Sequence, residues 1–331
     1  MQFTTPVALP GNGPDISHTS RIMLVGSCFA DNIGKRLQER KFNICTNPFG
    51  VQYNPLSIAT VLKRVFYGET FTENSCEIFE HGGMWHSILH HSAFSRASRE
   101  ELLSVTNQEL VKAHNMAQNC DIAVLTFGTA YTYRRKSDGI IAGNCHKLPG
   151  NLFDRRLLEI DEVVAHTTEA IELFRKENPH IKFLFTVSPI RHLSDGAHNN
   201  QVSKATLLLA IERLRTLFPD NTFYFPAYEI VLDELRDYRF FAEDMAHPSA
   251  VAVEYIWERF SDCFFSKETK GLNREIESIL RGLSHRPFNP GSIKYKEFIE
   301  TTIDNITRLK EKHTSLDFEN EIRQCNILLN R

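Results

Sequence analysis

Short apolar runs alternate along this chain with stretches in which apolar positions recur every three or four residues. Ile22-Met23-Leu24-Val25 is such a run, the mark of a buried strand. It leads through Gly26-Ser27 into a segment with Phe29, Ile33 and Leu37 on one helical face. Phe42 to Cys45 fits a second strand, followed by a helix carrying Ile58, Leu62, Val65 and Phe66. Ile122 to Phe127 is the clearest buried strand, and the helix after it shows Ile160, Val164, Ile171 and Phe174. Lys182 to Val187 is another strand, with a helix following over about 200–218. Thr222 to Phe225 is a short last strand, and Val253, Ile256, Trp257 and Phe260 mark a final helix.

Parallel strands need crossover connections, so this alternation predicts an α/β fold with helices on both faces of a parallel sheet. Sites in such sheets lie at the carboxyl ends of the strands. Two regions depart from the pattern. Residues 72–96, rich in His and Gly, read as a loop or hairpin insertion. Residues 266–331 read as a helical extension, broken at Arg286-Pro287-Phe288-Asn289-Pro290-Gly291, with Ile299, Thr302, Ile306 and Leu309 on one side. The expected division is a catalytic domain over 1–265 and the extension over 266–331.

Composition narrows the class. Of 331 residues, 42% are hydrophobic and 24% charged, with a formal net charge of −3, so no global basic field calls for nucleic acid or an anionic membrane. The seven cysteines are scattered without a Cys-x-x-Cys pair, which points to reduced thiols. Pro6, Pro10 and Pro14 interrupt the N-terminal segment where a secretory signal would need an apolar run. The expectation is a cytoplasmic protein with small-molecule partners and no cofactor, and with a homo-oligomer through the C-terminal helices left open.

Two motifs fall on the predicted carboxyl edge. Ser27 stands where the first strand ends and the first helix begins. A hydroxyl there sits at the sheet edge, and backbone donors and the helix dipole favour a developing oxyanion beside it. The plain alternative is a serine cap. Asp244-Met245-Ala246-His247-Pro248 lies in the loop entering the last helix. A serine needs a base, and an imidazole base needs a carboxylate to fix its tautomer. Asp and His three residues apart on one loop can face one pocket. Alone, they read equally as a capping Asp and a surface His.

Gly26-Ser27-Cys28-Phe29-Ala30 spells the motif that gives the GSCFA family its name, and the chain resembles that family over about residues 15–265. The resemblance includes Asn47-Pro48-Phe49-Gly50, Thr126-Phe127-Gly128-Thr129-Ala130, Asn144-Cys145-His146, Ser188-Pro189-Ile190-Arg191-His192 and Tyr224-Phe225-Pro226-Ala227-Tyr228-Glu229. The family looks like a branch of the SGNH/GDSL-type hydrolases. It implies a three-layer α/β/α fold around a mainly parallel five-stranded, flavodoxin-like sheet. It also implies a Ser27, Asp244, His247 triad acting on a small acyl ester, such as an O-acylated carbohydrate. In that pattern the oxyanion hole takes the N–H of Ser27, a glycine N–H after the second strand, which Gly50 suits, and an asparagine after the third. Here Gly128-Thr129 is followed by Ala130 where Gly-x-Asn would stand, so Asn144 is the substitute candidate. It reads equally as an Asx-turn residue. Gly128 either acts through its backbone or permits a turn.

The remaining candidates are weaker. His86, Thr129, His146, Arg191 and His192 are expected near the substrate, Arg191 and His192 either binding an anion or holding their loop. His81, His86, His90 and His91 cluster, but Gly82-Gly83 interrupts them and no His-Glu-x-x-His pattern occurs, so no metal site is expected. Cys28 suits packing better than catalysis. Besides an esterase or acyltransferase, two readings stay open: a binding or structural protein on a degenerate hydrolase fold, and a metal-dependent hydrolase using the histidine cluster.

Overall fold

The computed structural model describes residues 4–284, 287–288 and 292–329. Five strands form one sheet: β1 (Arg21–Gly26), β2 (Asn43–Thr46), β5 (Ile122–Phe127), β8 (Lys182–Val187) and β9 (Thr222–Tyr224). Their order is β2-β1-β5-β8-β9, and every pairing is parallel. The sheet therefore reverses direction of growth between β1 and β5, the switch point where the carboxyl edge opens a crevice in flavodoxin-like sheets.

Strand alternation builds a core on each face. Met23, Val25, Leu125, Phe127, Phe183 and Phe185 face one side. There they meet α2 (Pro55–Tyr67), α3 (Arg99–Ala117), α4 (Ile160–Glu177) and α5 (Gly196–Leu217). Ile22, Leu24, Val124 and Leu184 face the other. They meet α1 (Cys28–Glu39), the short helix α6 (Ala227–Glu229) and α7 (Ala250–Phe264). Burial on both faces explains why these strands read as unbroken apolar runs. The three-layer α/β/α expectation holds.

Two hairpins stand outside the sheet. β3 (Ile78–His81) and β4 (Met84–Ser87) pair antiparallel around Gly82 and Gly83, whose φ values of +60° and +74° suit a tight hairpin turn. The insertion is thus a hairpin. β6 (Tyr131–Arg135) and β7 (Phe153–Leu157) form a second one, which the apolar pattern does not predict.

Helices α8 (Lys267–Ser284), α9 (Ile293–Lys312) and α10 (Glu319–Leu329) share a separate core that includes Ile276, Ile299, Ile306 and Phe318. They meet the sheet domain at its amino edge. Arg40, capping α1, pairs with Glu277 at 2.6 Å, and Lys41 pairs with Glu321 at 2.7 Å while lying over the Phe318 ring. The helix break at 286–291 lies outside the described residues apart from Pro287 and Phe288. No helix among the described residues is long and apolar enough to cross a membrane.

Candidate active site

Gly26 ends β1 with φ +154°, and a Cβ on it would come within 2.3 Å of the Thr126 carbonyl oxygen. Only glycine lets β1 and β5 approach so closely there. Asn47 fixes the same point: its Oδ1 accepts from Gly26 N–H at 2.8 Å, and its amide donates to Asp31. Ser27 follows as the N-cap of α1, with Oγ accepting from Phe29 N–H at 3.3 Å. It is 1% exposed. The capping and nucleophile readings thus fall on one atom, because Oγ holds the helix start and stands at the carboxyl edge.

The Asp244/His247 pair sits on a tight loop. Ala242 N–H donates to His247 O at 2.8 Å and Met245 N–H to Ala242 O at 2.9 Å, with Met245 in the left-handed region at φ +55°. Asp244 Oδ1 accepts from the N–H groups of Ala246 and His247, both at 2.9 Å, and Oδ2 meets His247 Nδ1 at 2.5 Å. These backbone donors, with the imidazole bond behind them, hold the Asp244 carboxyl down at about 2. Nδ1 is therefore the donor to Asp244, and Nε2 faces away from it. The His247 side chain is 48% exposed. Pro248 precedes Ser249, the N-cap of α7.

A cavity of about 500 Å³ lies beside these parts. His247 lines it together with Cys28, Tyr53, Thr129, Asn144 and His192. Tyr131, Tyr133 and Arg155 of the β6–β7 hairpin close another side. Arg155 lies 4.0 Å over the Tyr131 ring, donates to the Tyr133 hydroxyl at 2.8 Å and pairs with Asp195. Ser27 itself lies below this surface, and no hydrogen bond joins its Oγ to His247 among the described residues. Catalytic bonds are often long without substrate.

The expected oxyanion donors separate. Ser27 N–H donates to Thr126 O at 3.2 Å. Gly50 N–H is used in closing the turn to Asn47 O at 2.7 Å, and a Cβ on Gly50 would meet His91 at 2.4 Å, so its glycine serves the turn. Gly128 N–H and Thr129 N–H both donate to the Tyr53 carbonyl, at 2.8 and 2.9 Å. Asn144 combines its two readings: Oδ1 accepts from His146 N–H at 2.8 Å as an Asx turn, while Nδ2 donates to no group among the described residues and the residue lines the cavity. The N–H of Cys28, first in α1, is likewise unpaired with any other residue among those described.

Of the weaker candidates, Thr129, Arg191 and His192 line the cavity, whereas His86 and His146 do not. His86 spends both ring nitrogens, on Ser95 Oγ at 2.7 Å and His81 O at 3.0 Å. His146 binds Ser87 O at 2.8 Å and is buried, which lowers its pKa. Arg191 N–H donates to Ala246 O, tying its loop to that of His247, and its guanidinium stacks 3.9 Å over Phe241. Burial brings His192 down to about 4, with the charge of Lys204 adding to it.

Lys204 on α5 is the residue the sequence pattern missed. It is 1% exposed, and its Nζ donates to Gly128 O at 2.6 Å and Ser188 O at 2.7 Å. Its position three and seven residues before Leu207 and Ile211, on the buried stripe of α5, was the available signal.

The GSCFA family model matches residues 21–260, and the model for the GSCFA domain protein C-terminal domain matches residues 276–331. No curated protein matches the chain. Among solved structures, a carbohydrate esterase family 3 from Talaromyces cellulolyticus is similar at 11% identity and a TM-score of 0.32, over 78% of this chain and 98% of that one.

Proposed function

From the premise that the chain belongs to the GSCFA family, we propose that it is a serine hydrolase or acyltransferase acting on a small acyl ester. The observation that carries this reading is His247: its Nδ1 is locked onto Asp244 while its ring enters the cavity that Cys28, the neighbour of Ser27, also lines. A carboxylate-oriented imidazole with its other nitrogen open is what an unactivated hydroxyl requires.

In this mechanism Ser27 Oγ rotates off the Phe29 N–H and attacks the substrate carbonyl. His247 Nε2 takes the hydroxyl proton, and Asp244 stabilises the imidazolium that forms. The oxyanion is held by the open donors, Asn144 Nδ2 and Cys28 N–H, in place of the paired Gly50 and Gly128 groups. Collapse expels the alcohol, which receives the proton from His247. Water, or a second alcohol in acyl transfer, then releases the acyl group by the same route. Tyr53, Tyr131, Tyr133 and Asn144 place polar groups along an otherwise largely apolar wall, and O-acetylated sugars are the first substrates to try.

A non-catalytic binding role is favoured by one feature, the burial of Ser27 under its own capping bond. Turnover of p-nitrophenyl acetate and of acetylated sugars, with Ser27→Ala as control, separates the two. Hydrolysis lost in the variant supports the hydrolase; no turnover in either protein, with sugar binding retained, supports the binding role.

A further inference from the structure

We infer that Lys204 is a positioning residue for the proposed reaction: its amine clamps the ends of β5 and β8 together and so sets the Gly128–Thr129 peptide against Ser27. This rests on the hydrolase reading above. Phe127 and Val187 are the last paired residues of the two strands, and Ser188 N–H still donates to Phe127 O at 2.8 Å. Beyond that point the strands part. Lys204 Nζ fills the fork, bonded to Gly128 O on one side and Ser188 O on the other.

The clamp bears on the site through one peptide plane. A Cβ at Gly128 would lie 3.5 Å from Ser27 Cβ, so this backbone borders the nucleophile. With the Gly128 carbonyl turned toward Lys204, the N–H of Thr129 points the opposite way, and it joins that of Gly128 on the Tyr53 carbonyl at the cavity wall. Ser203, next to Lys204, fixes the continuation: its Oγ accepts from Ala130 N–H at 2.7 Å and meets Thr129 Oγ1 at 3.1 Å. Two successive residues of α5 therefore hold three successive residues of the loop.

No carboxylate pairs with Lys204 among the described residues. The groups that face it are the two carbonyls from the strand ends, the Tyr228 ring of α6 at 5.6 Å, and His192 from the loop after β8. Burial without a counter-ion disfavours the charged amine and brings its pKa down to about 7. Charge-assisted bonds to carbonyls are about twice as strong as neutral ones. The clamp is consequently tight below neutrality and slack above it.

The test is a pH profile of p-nitrophenyl acetate hydrolysis by the full chain and by Lys204→Met. The wild type should show kcat falling above about pH 7 as Lys204 loses its proton. Lys204→Met should fold, lower kcat by about tenfold to a hundredfold with KM within a few fold, and lack the falling limb. A falling limb unchanged in the variant, or an unchanged kcat, overturns the inference. If the variant does not fold, NMR titration of the wild-type Lys204 side chain decides. A midpoint near 7, shared by the Gly128 and Thr129 amide shifts, supports the clamp, and a midpoint above 9 overturns it. The titration needs no turnover, so absence of any esterase activity sinks the hydrolase reading while leaving the clamp separately measured.

Discussion

Two groups of histidines compete for attention in this chain, and their surroundings differ in kind. At the β3–β4 hairpin, His86 has both ring nitrogens bonded, and His90 is fully buried with Nδ1 on Ser87 Oγ, stacked 4.1 Å from Phe49. At the cavity, His247 is half-exposed and has one nitrogen committed to Asp244. The first group uses imidazole as a flat, polar-tipped filler. The second leaves its free nitrogen at an open cavity, whereas the unpartnered Nε2 of His90 is sealed in the core. Density of histidines in the sequence points to the first group; geometry points to the second.

The sharpest way to break that contrast is to remove the proposed proton relay. Ser27→Ala and His247→Ala should each lower kcat by about 10⁴ to 10⁶, and Asp244→Asn by about 10⁴, in an ester assay. Residual activity near wild type in any of them would return the triad to a capping serine and a surface pair. Asn144→Ala comes next, with a loss of about 10² to 10³ in kcat. An unaffected rate would leave the Asx turn as its whole role.

The hairpin group should respond through stability instead. His90→Ala empties a site between Phe49, Phe71 and Phe94 and should cost about 2–4 kcal/mol in urea unfolding, with kcat of the folded fraction unchanged. Acid adds a second signature. Burial lowers His90 to about 3 and His18 to about 4. Between the ordinary histidine range near 6.5 and those values the unfolded chain binds more protons than the folded one. Stability is therefore intact above about pH 6.5 and falls as pH drops, by about 1.4 kcal/mol per pH unit for each group until that group's own folded value is reached. His90→Phe should make that slope shallower by one proton's worth; an unaltered slope would show that His90 is charged in the fold. The smallest effect is expected at His86→Ala, about 1 kcal/mol of stability and no change in rate.

What was legible in the sequence was local. The run Ile22 to Val25 followed by Gly26-Ser27, and the Asp244/His247 spacing, each encode their geometry within a few residues. The β6–β7 hairpin was not legible, because Tyr131-Thr132-Tyr133-Arg134-Arg135 and Phe153-Asp154-Arg155-Arg156-Leu157 are mostly polar on both sides and lack a strand's apolar alternation. Helix α3 escaped for a related reason: its buried positions include Thr106, Ala113 and Ala117, which blur the stripe. The oxyanion donors depend on where backbone N–H groups end up, and residue identity does not carry that. Gly50 fits the motif and spends its N–H on a turn.

The strand order has a kinetic corollary. β1 is laid down first and becomes an inner strand, β2 closes its outer side, and β5, β8 and β9 then add outward one after another. A chain emerging from synthesis N-terminus first can build the sheet by accretion, without displacing any strand already in place. Ser27 comes with the first strand, but Asp244 and His247 follow the last one. Under the proposed mechanism the protein would for most of its assembly carry a nucleophile without a base, and reactivity would arrive as one of the final events, once the edge strand has sealed the core behind it.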